Sequence, residues 1–390
     1  MGPRRRRFDP ACRKPSVWDA RELEAAVAAA GASERHGIAL LSYLARRPDV
    51  EAWSDVEWDR VGRDRAPRRF RDVVEATLSA RACAVASRHD SADGSTTKLV
   101  VQLRDGREVE TVVMRHGTLR STRVSVCVSS QVGCAMACSF CATGTMGHSG
   151  DLTAGEIVEQ ALFAKGLEPK LRNVVFMGMG EPLNNYRAVL DACAAFFDDR
   201  LLALRAGRVT VSTVGVAPRI EALAADEPRA SLALSLHAPT QAQRVAIMPA
   251  AKHHDLDALL GAVGAYVRVK EAAAPRKAGK SKPLVMIEYI LLGGVNDADA
   301  DADRLARLLV DDAGAHRFGA GRAMVNLIAY NPTPGAPYAR PSEARVRAFQ
   351  AAVSARGVLC CVRITMGGDV AGACGQLVKG AKRAGVPDVE

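Results

Sequence analysis

The chain has 390 residues, 48% of them apolar and 25% charged, enough to bury the core of an α/β barrel of about 250 residues plus a smaller domain. No apolar run approaches the ~20 residues of a membrane span, and ten cysteines in a chain of this length exclude a small disulfide-built scaffold. Lys and Arg number 53 against 43 Asp and Glu, a balance that points to a polyanionic partner, with RNA or DNA the usual one.

The first residues hold the run Arg4-Arg5-Arg6-Arg7 with no apolar stretch behind it, which is not a secretory signal. Asp9, Asp19, Glu22 and Glu24 follow closely, so an organellar transit peptide fits poorly and a cytoplasmic location is expected, with an organellar one as the alternative. From about Trp18 to Arg81, Ala, Leu, Glu and Arg dominate, and the stretch Asp19 to Ala30, closed by Gly31, predicts a helix. Residues 1–92 are therefore expected to form a helical accessory domain. Lys98 to Arg104, the turn Asp105-Gly106, and Val109 to Met114 predict paired strands, a β-hairpin extension over residues 93–122.

From about Arg123 short β-branched runs alternate with Ala/Leu-rich stretches. The runs are Val124–Val128, Asn173–Met177, Arg208–Thr213, Ser231–Leu236, Leu284–Leu292 and Ala323–Ala329. Six strands with intervening helices predict an α/β fold, a six-stranded partial βα barrel over residues 123–380, followed by a C-terminal tail at 381–390. In such barrels the loops after the strands carry the chemistry. Arg268 to Pro283, with Lys270, Arg276, Lys277, Lys280 and Lys282 among Pro and Gly, reads as a solvated flexible loop, an RNA-backbone contact being the functional alternative.

Cys134, Cys138 and Cys141 are spaced C-x3-C-x2-C. Three thiolates on one loop can hold three irons of a 4Fe–4S cluster and leave the fourth open, and an open iron can chelate the amino and carboxylate groups of S-adenosylmethionine (SAM). A zinc site with His148 as fourth ligand is the competing reading, but zinc ligands usually come in separated pairs. Phe176-Met-Gly-Met-Gly-Glu-Pro182, after the next strand, offers close backbone approach and a carboxylate, Glu181, able to accept from an ammonium. Ser212, Ser235, His237 and Asn331 fall at or just past later strand ends, where they would ring one barrel mouth.

With these residues in view, the chain resembles the RlmN/Cfr-type radical SAM adenine methyltransferases, and the RlmN branch most closely. The resemblance spans roughly Asp93 to Gly380. It rests on Val109-Glu-Thr-Val, Cys127-Val-Ser-Ser-Gln-Val-Gly-Cys134, Met177-Gly-Met-Gly-Glu-Pro, Val211-Ser-Thr, Ser235-Leu-His-Ala-Pro239, Ile287-Glu-Tyr, Val325-Asn-Leu-Ile, Asn331-Pro, Pro334-Gly-Ala-Pro-Tyr338 and Ala373-Cys-Gly-Gln-Leu377. It implies methylation of adenine carbon 2 in large-subunit rRNA and, for some members, in tRNA. It implies one 4Fe–4S cluster on Cys134, Cys138 and Cys141, and two SAM molecules per turnover. Cys374 matches the cysteine that first accepts a methyl group. Cys127 matches the one that releases the product by forming a disulfide with Cys374. Glu110 matches an acidic proton acceptor, and Gly180, Glu181, Ser212, Ser235, Leu236, His237 and Asn331 match SAM contacts. The partners expected are RNA and an electron donor such as a flavodoxin or ferredoxin, with no membrane and a monomeric chain.

Cys12, Cys83, Cys193, Cys360 and Cys361 read as structural, the last pair in a strand-like run, and Asp369 as shaping the loop before Cys374. The chain departs from the family at Ile364 and Met366, where more polar or basic residues are usual, at Tyr330, where Trp is frequent, and in a longer Met114–Arg123 segment. Three rival readings are a carbon-8 methyltransferase using the same residues, a non-catalytic RNA-binding paralogue, and a radical SAM enzyme with another substrate. Retention of all five motif cysteines speaks against the second, and Cys127 with Cys374 against the third.

Overall fold

The Ala- and Leu-rich start folds as helices whose apolar residues recur on one face. In the computed structural model, which describes residues 14–63, 65–118, 121–273 and 284–377, these are α1 (Ala20–Ala29), α2 (Glu34–Arg46) and α3 (Arg68–Thr77). Leu23, Ala26 and Val27 of α1 and Phe70 and Val74 of α3 point inward. The Arg4–Arg7 run, Cys12, the stretch 274–283 and the tail 381–390 lie outside the described residues.

Three antiparallel strands follow: β1 (Ala84–Asp90), β2 (Thr96–Gln102) and β3 (Glu108–Thr118). The Asp105-Gly106 turn is where it was expected: Gly106 has a φ of +84° and Asp105 Oδ1 accepts from Arg107 N at 3.0 Å. β1 is an addition to the expected hairpin. It is a largely exposed edge strand, broken by a bulge between Val85 and Ser87, and so carries no apolar alternation to read.

β4 (Ser121–Cys127) is the hinge of the topology, antiparallel to β3 on one side and parallel to its other neighbour. A small two-stranded sheet comes next, β5 (Gln131–Cys134) and β6 (Gly147–Asp151), and then α4 (Ala154–Leu167). The βα series continues through β7 (Leu171–Phe176), α5 (Tyr186–Phe197), β8 (Val209–Thr213), α6 (Ala217–Asp226) and β9 (Ser231–Ser235). It closes with α7 (Gln241–Ile247), α8 (Leu256–Ala273), β10 (Val285–Leu291), α9 (Asp299–Leu309), β11 (Ala323–Ala329), α10 (Glu343–Ala355) and β12 (Leu359–Val362).

The large sheet has the order β1-β2-β3-β4-β7-β8-β9-β10-β11-β12. Among the described residues β4 and β12 are not paired, so the parallel portion from β4 to β12 is open. The six expected barrel strands are all present and parallel. β12, which carries Cys360 and Cys361, adds a seventh parallel strand beside β11. None of the described helices is long and apolar enough to cross a membrane.

One expectation needs correcting. The basic insertion does not begin at Arg268, because α8 runs on to Ala273. Lys270 turns back onto the fold, its Nζ donating to the carbonyl of Ala230 at 2.7 Å and to that of Pro228. Glu271 pairs with Arg322 at 2.6 Å. Two anchored charges in the last turn hold helical a segment whose composition reads as a loop.

The accessory helices are fastened to the barrel by a buried carboxylate. Glu159 of α4 is fully buried, and accepts from Ser16 Oγ at 2.5 Å, from Ala82 N at 3.0 Å and from Cys83 N at 2.8 Å. Nearby, Asp19 Oδ1 accepts from Gly155 N at 2.7 Å. Replacing Glu159 by Leu would leave two buried amides and a hydroxyl without acceptors, each costing about 1–3 kcal/mol. The expected outcome is a loss of several kcal/mol in denaturant unfolding and faster proteolysis near residues 82–92; unchanged stability and protease resistance would remove Glu159 from this role.

Candidate active site

The cysteine loop is closed at its base by backbone pairing. Gly133 and Cys134 of β5 face His148 and Gly147 of β6 across the small sheet. Gly133 has a φ of +75°, and a Cβ there would lie 1.9 Å from the Gly147 carbonyl oxygen, so only glycine fits. Within the loop Cys141 N donates to Cys138 O at 3.1 Å. A Cβ on Gly144 would come within 2.6 Å of the same carbonyl.

Cys134, Cys138 and Cys141 line one cavity of about 130 Å³. Burial pushes the Cys134 thiol up to about 12 and raises Cys138 and Cys141 as well, and the neighbouring thiols add to the rise at Cys138. Working against burial, the Met136 N–H points at the Cys134 sulfur and the Gly144 and Thr143 N–H groups at that of Cys141. Among the described residues no three His, Cys, Asp or Glu side chains converge on a single metal-ion position. Three thiols spread round a cavity and met by backbone N–H donors fit a multi-iron cluster, which needs separated thiolates and is tuned by hydrogen bonds to sulfur. His148, weighed as a zinc ligand, lies on β6 paired with Asp151 at 3.1 Å and does not line the cavity.

The Gly-rich turn after β7 supplies the opposite wall. A Cβ on Gly178 would meet Ser129 Oγ at 2.7 Å, and one on Gly180, whose φ is +99°, would meet Gln131 Cβ at 2.5 Å. These glycines let the turn pack onto the segment joining β4 to β5. Glu181 is buried with Oε1 accepting from Leu183 N at 3.0 Å and Oε2 from Val214 N at 2.9 Å, and burial pushes its carboxyl up to about 7.

Gly180, Glu181, Ser212, Ser235 and His237 all line this cavity. Ser212 Oγ and Ser235 Oγ lie 3.4 Å apart. His237 adopts a φ of +60°, and its Nδ1 accepts from Ile290 N at 3.1 Å, which leaves Nε2 as the protonated nitrogen. Burial, helped by Arg244, pulls its pKa down to about 3, so the ring is neutral. Leu236 is not brought to the cavity. Its side chain is fully buried in the core and its carbonyl accepts from Arg244 Nη1 at 3.1 Å. Arg244, which sequence reasoning passed over, also donates to Val214 O at 2.9 Å and so pins the loops after β8 and β9 together.

A second cavity of about 480 Å³ opens beside the first, and Cys127 lines it from the end of β4. Cys374 lines both cavities. Burial pushes the Cys127 thiol up to about 12, with the neighbouring Cys374 adding to it and Arg363 opposing. Cys374 is raised by burial and likewise opposed by Arg363. Arg363 is thus close enough to act on both thiols; it lines both cavities, and its Nη1 lies 3.5 Å from Met177 Sδ. Among the described residues every cysteine is a free thiol.

Asn331 lines the larger cavity and not the smaller. Its Nδ2 donates to Cys374 O at 3.3 Å, and its Oδ1 accepts from Arg340 and from Thr365, both at 3.1 Å. It holds the Cys374 loop. Glu110 lines neither cavity; it is buried beneath that loop, paired at 3.0 Å with Lys98, whose Nζ also reaches Ala371 O at 3.5 Å. Asp369 accepts from Ala92 N at 2.9 Å and ties the loop to the β1–β2 turn, as its expected shaping role required. Gly367, with a φ of +66°, allows the close pass over Thr96.

Sequence reasoning missed Arg363, Glu288 and Asn326, all of which line the larger cavity. For Glu288 a signal existed, a lone acidic residue inside the apolar strand β10.

A family model described as the radical SAM superfamily matches residues 128–306. The chain is 40% identical to the dual-specificity RNA methyltransferase RlmN of Solidesulfovibrio magneticus, over 86% of this chain and 90% of that one. It is 38% identical to the probable dual-specificity RNA methyltransferase RlmN of Moorella thermoacetica, over 91% and 94% respectively. A crystal structure of a radical SAM methyltransferase from Sphaerobacter thermophilus superposes with a TM-score of 0.79 at 35% identity, covering 93% of this chain and 99% of that one.

The electrostatics yield a prediction. Arg363 favours the Cys374 thiolate, so Arg363→Gln should move the pH midpoint for alkylation of Cys374 upward by about one unit. Peptide mapping of iodoacetamide labelling across pH reads it directly; a midpoint that stays or falls would show that Arg363 does not act on this thiol.

Proposed function

The chain belongs to the RlmN family of radical SAM RNA methyltransferases, and from that membership we propose that it methylates carbon 2 of an adenine in RNA by way of S-methylated Cys374. The observation that carries the proposal is the position of Cys374, the one motif cysteine that lines both cavities. It can face a methyl donor on one side and a base on the other. Large-subunit rRNA, and tRNA for a second specificity, are the substrates this reading assigns.

Cys134, Cys138 and Cys141 would hold three irons of one 4Fe–4S cluster. Glu181, Gly180, Ser212, Ser235 and His237 would bind SAM, with the open iron taking its amino acid end. When bound, the cluster supplies an electron and SAM supplies a methyl group in one encounter and, on one-electron cleavage, radical reactivity in a second.

The remaining steps belong to the chain's own residues. Cys374 loses its proton and takes the methyl group, a step for which burial is a hindrance and Arg363 a help. Having given up one hydrogen atom to the radical that SAM would supply, and with the surplus electron of the adduct returning to the cluster, the methyl carbon on Cys374 would become bonded to carbon 2 of the adenine. Glu110 takes the proton displaced from that carbon, which requires the Cys374 loop to lift from above it. Gly367, Gly368, Gly372 and Gly375 suit a segment that changes shape. Cys127, as its thiolate, attacks the Cys374 sulfur and breaks the bond from that sulfur to the added carbon, which takes up a proton as the methylated base leaves; the disulfide formed must be reopened by a reductant such as a flavodoxin or ferredoxin system.

Two measurements test this reading. Anaerobically reconstituted protein should hold about four irons, and Ala at any of Cys134, Cys138 or Cys141 should remove the iron and the brown absorbance; zinc in place of iron would contradict it. Cys374→Ala should give no methylated base and no covalent RNA adduct. Cys127→Ala should instead accumulate RNA crosslinked through Cys374, because the carbon is attached and not released. Normal turnover by either variant would end the proposal, and nucleoside mass spectrometry showing 8-methyladenosine would transfer the activity to the carbon-8 reaction.

A further inference from the structure

Glu288 has an unusual place among the buried acids of the barrel. It sits mid-strand on β10, in register with Ser235 of β9 and Asn326 of β11, and lines both cavities. It is only 2% exposed. Oε2 accepts from Asn326 Nδ2 at 2.8 Å, whereas Oε1, equally buried, has no hydrogen-bond partner. Both oxygens of Glu181 accept main-chain N–H groups and Glu159 accepts three donors, whereas Glu288 has the Asn326 amide on one oxygen and the Arg363 guanidinium as its neighbouring cation. An unmet carboxylate oxygen in a low-dielectric wall is costly unless a ligand completes it.

The donor that completes it has to enter the cavity shared with Cys374. From this geometry we infer that Glu288 Oε1 accepts a hydrogen bond from the exocyclic amine of the target adenine, with Asn326 beside it reading the adjacent ring nitrogen. The inference rests on the adenine methylation proposed above and names the residues that choose the base. The chemistry of the pair matches the edge. Asn326 Nδ2 faces a carboxylate oxygen, which fixes the orientation of its amide and leaves its second N–H and its carbonyl for a ligand. Adenine offers an amine donor beside a nitrogen acceptor, the combination that an amide side chain recognises. The amine-bearing carbon is separated by a single ring nitrogen from carbon 2. A base held at Glu288 by its amine therefore keeps carbon 2 within the same cavity as Cys374. Guanine presents a carbonyl oxygen at the corresponding position, which would face Glu288 acceptor to acceptor.

The test uses reconstituted holoenzyme and a stem-loop RNA on which methylation has first been established. The same RNA is then made with purine ribonucleoside, which lacks the amine, at the target position, and both are titrated by fluorescence anisotropy. Wild-type protein should bind the adenine RNA about tenfold or more tightly than the purine RNA, the range of one hydrogen bond to a charged group. Glu288→Met should bind the two within about twofold, and Glu288→Gln, which keeps an acceptor oxygen, should retain the preference. Equal binding of both RNAs by wild type would overturn the inference without any variant. So would a Glu288→Met protein that keeps the wild-type preference. Failure of the initial methylation is a separate result that strikes the proposed function itself.

Discussion

Two hydrogen bonds join the loop of three cysteines to the loop of the fourth. Ala142 N donates to Gly375 O at 2.8 Å and Thr143 Oγ1 to Leu377 O at 2.6 Å. Both come from the stretch immediately after Cys141, so the cysteine loop directly anchors the Cys374 loop. Asn331 and the Lys98 ammonium fix the same loop from two further sides. The consequence is a thiol suspended between two cavities. One is walled by three cysteines and Glu181, the other by Cys127, Arg363 and Glu288.

Desolvation sets the electrostatics of this region. Every motif thiol is raised by burial, so each is a neutral thiol until a cation compensates. At Cys374 and Cys127 the chain's own cation, the Arg363 guanidinium, opposes that rise without cancelling it. At the three cluster cysteines the compensating cation would be the iron, with backbone N–H groups assisting. Arg123 and Arg208 line the larger cavity, Arg208 Nη1 donating to Asn173 Oδ1 at 3.4 Å.

How much of this could be read from the residues depended on whether the signal was local. The barrel strands were legible because strands buried on both faces are continuous β-branched runs. The cysteine spacing and the Gly-Glu turn carried their chemistry in adjacent positions. β1 escaped because an exposed edge strand shows no alternation, and the β5–β6 pair because Gly133 and Gly147 make a short ladder that composition cannot reveal. α8 was underestimated since its last turn is held by Lys270 and Glu271, whose partners lie on distant loops. Glu288 and Asn326 come from the middles of β10 and β11 and Arg363 from just past β12, so apart from the lone acid in β10 no spacing in the chain announces their meeting. Leu236 and Asn331 were placed in the SAM pocket by motif alone; the fold turns the first into the core and gives the second to the Cys374 loop.

The central claim is that Cys374 carries the methyl group between the two cavities. The most direct measurement is the mass of the Cys374 peptide after reconstituted holoenzyme is incubated with isotopically labelled SAM and reductant, before and after RNA is added. The account predicts a labelled methyl group on Cys374, absent from Cys127, whose carbon then appears in the RNA adenine as it disappears from the peptide. A labelled base arising while the Cys374 peptide never carries the label would contradict it.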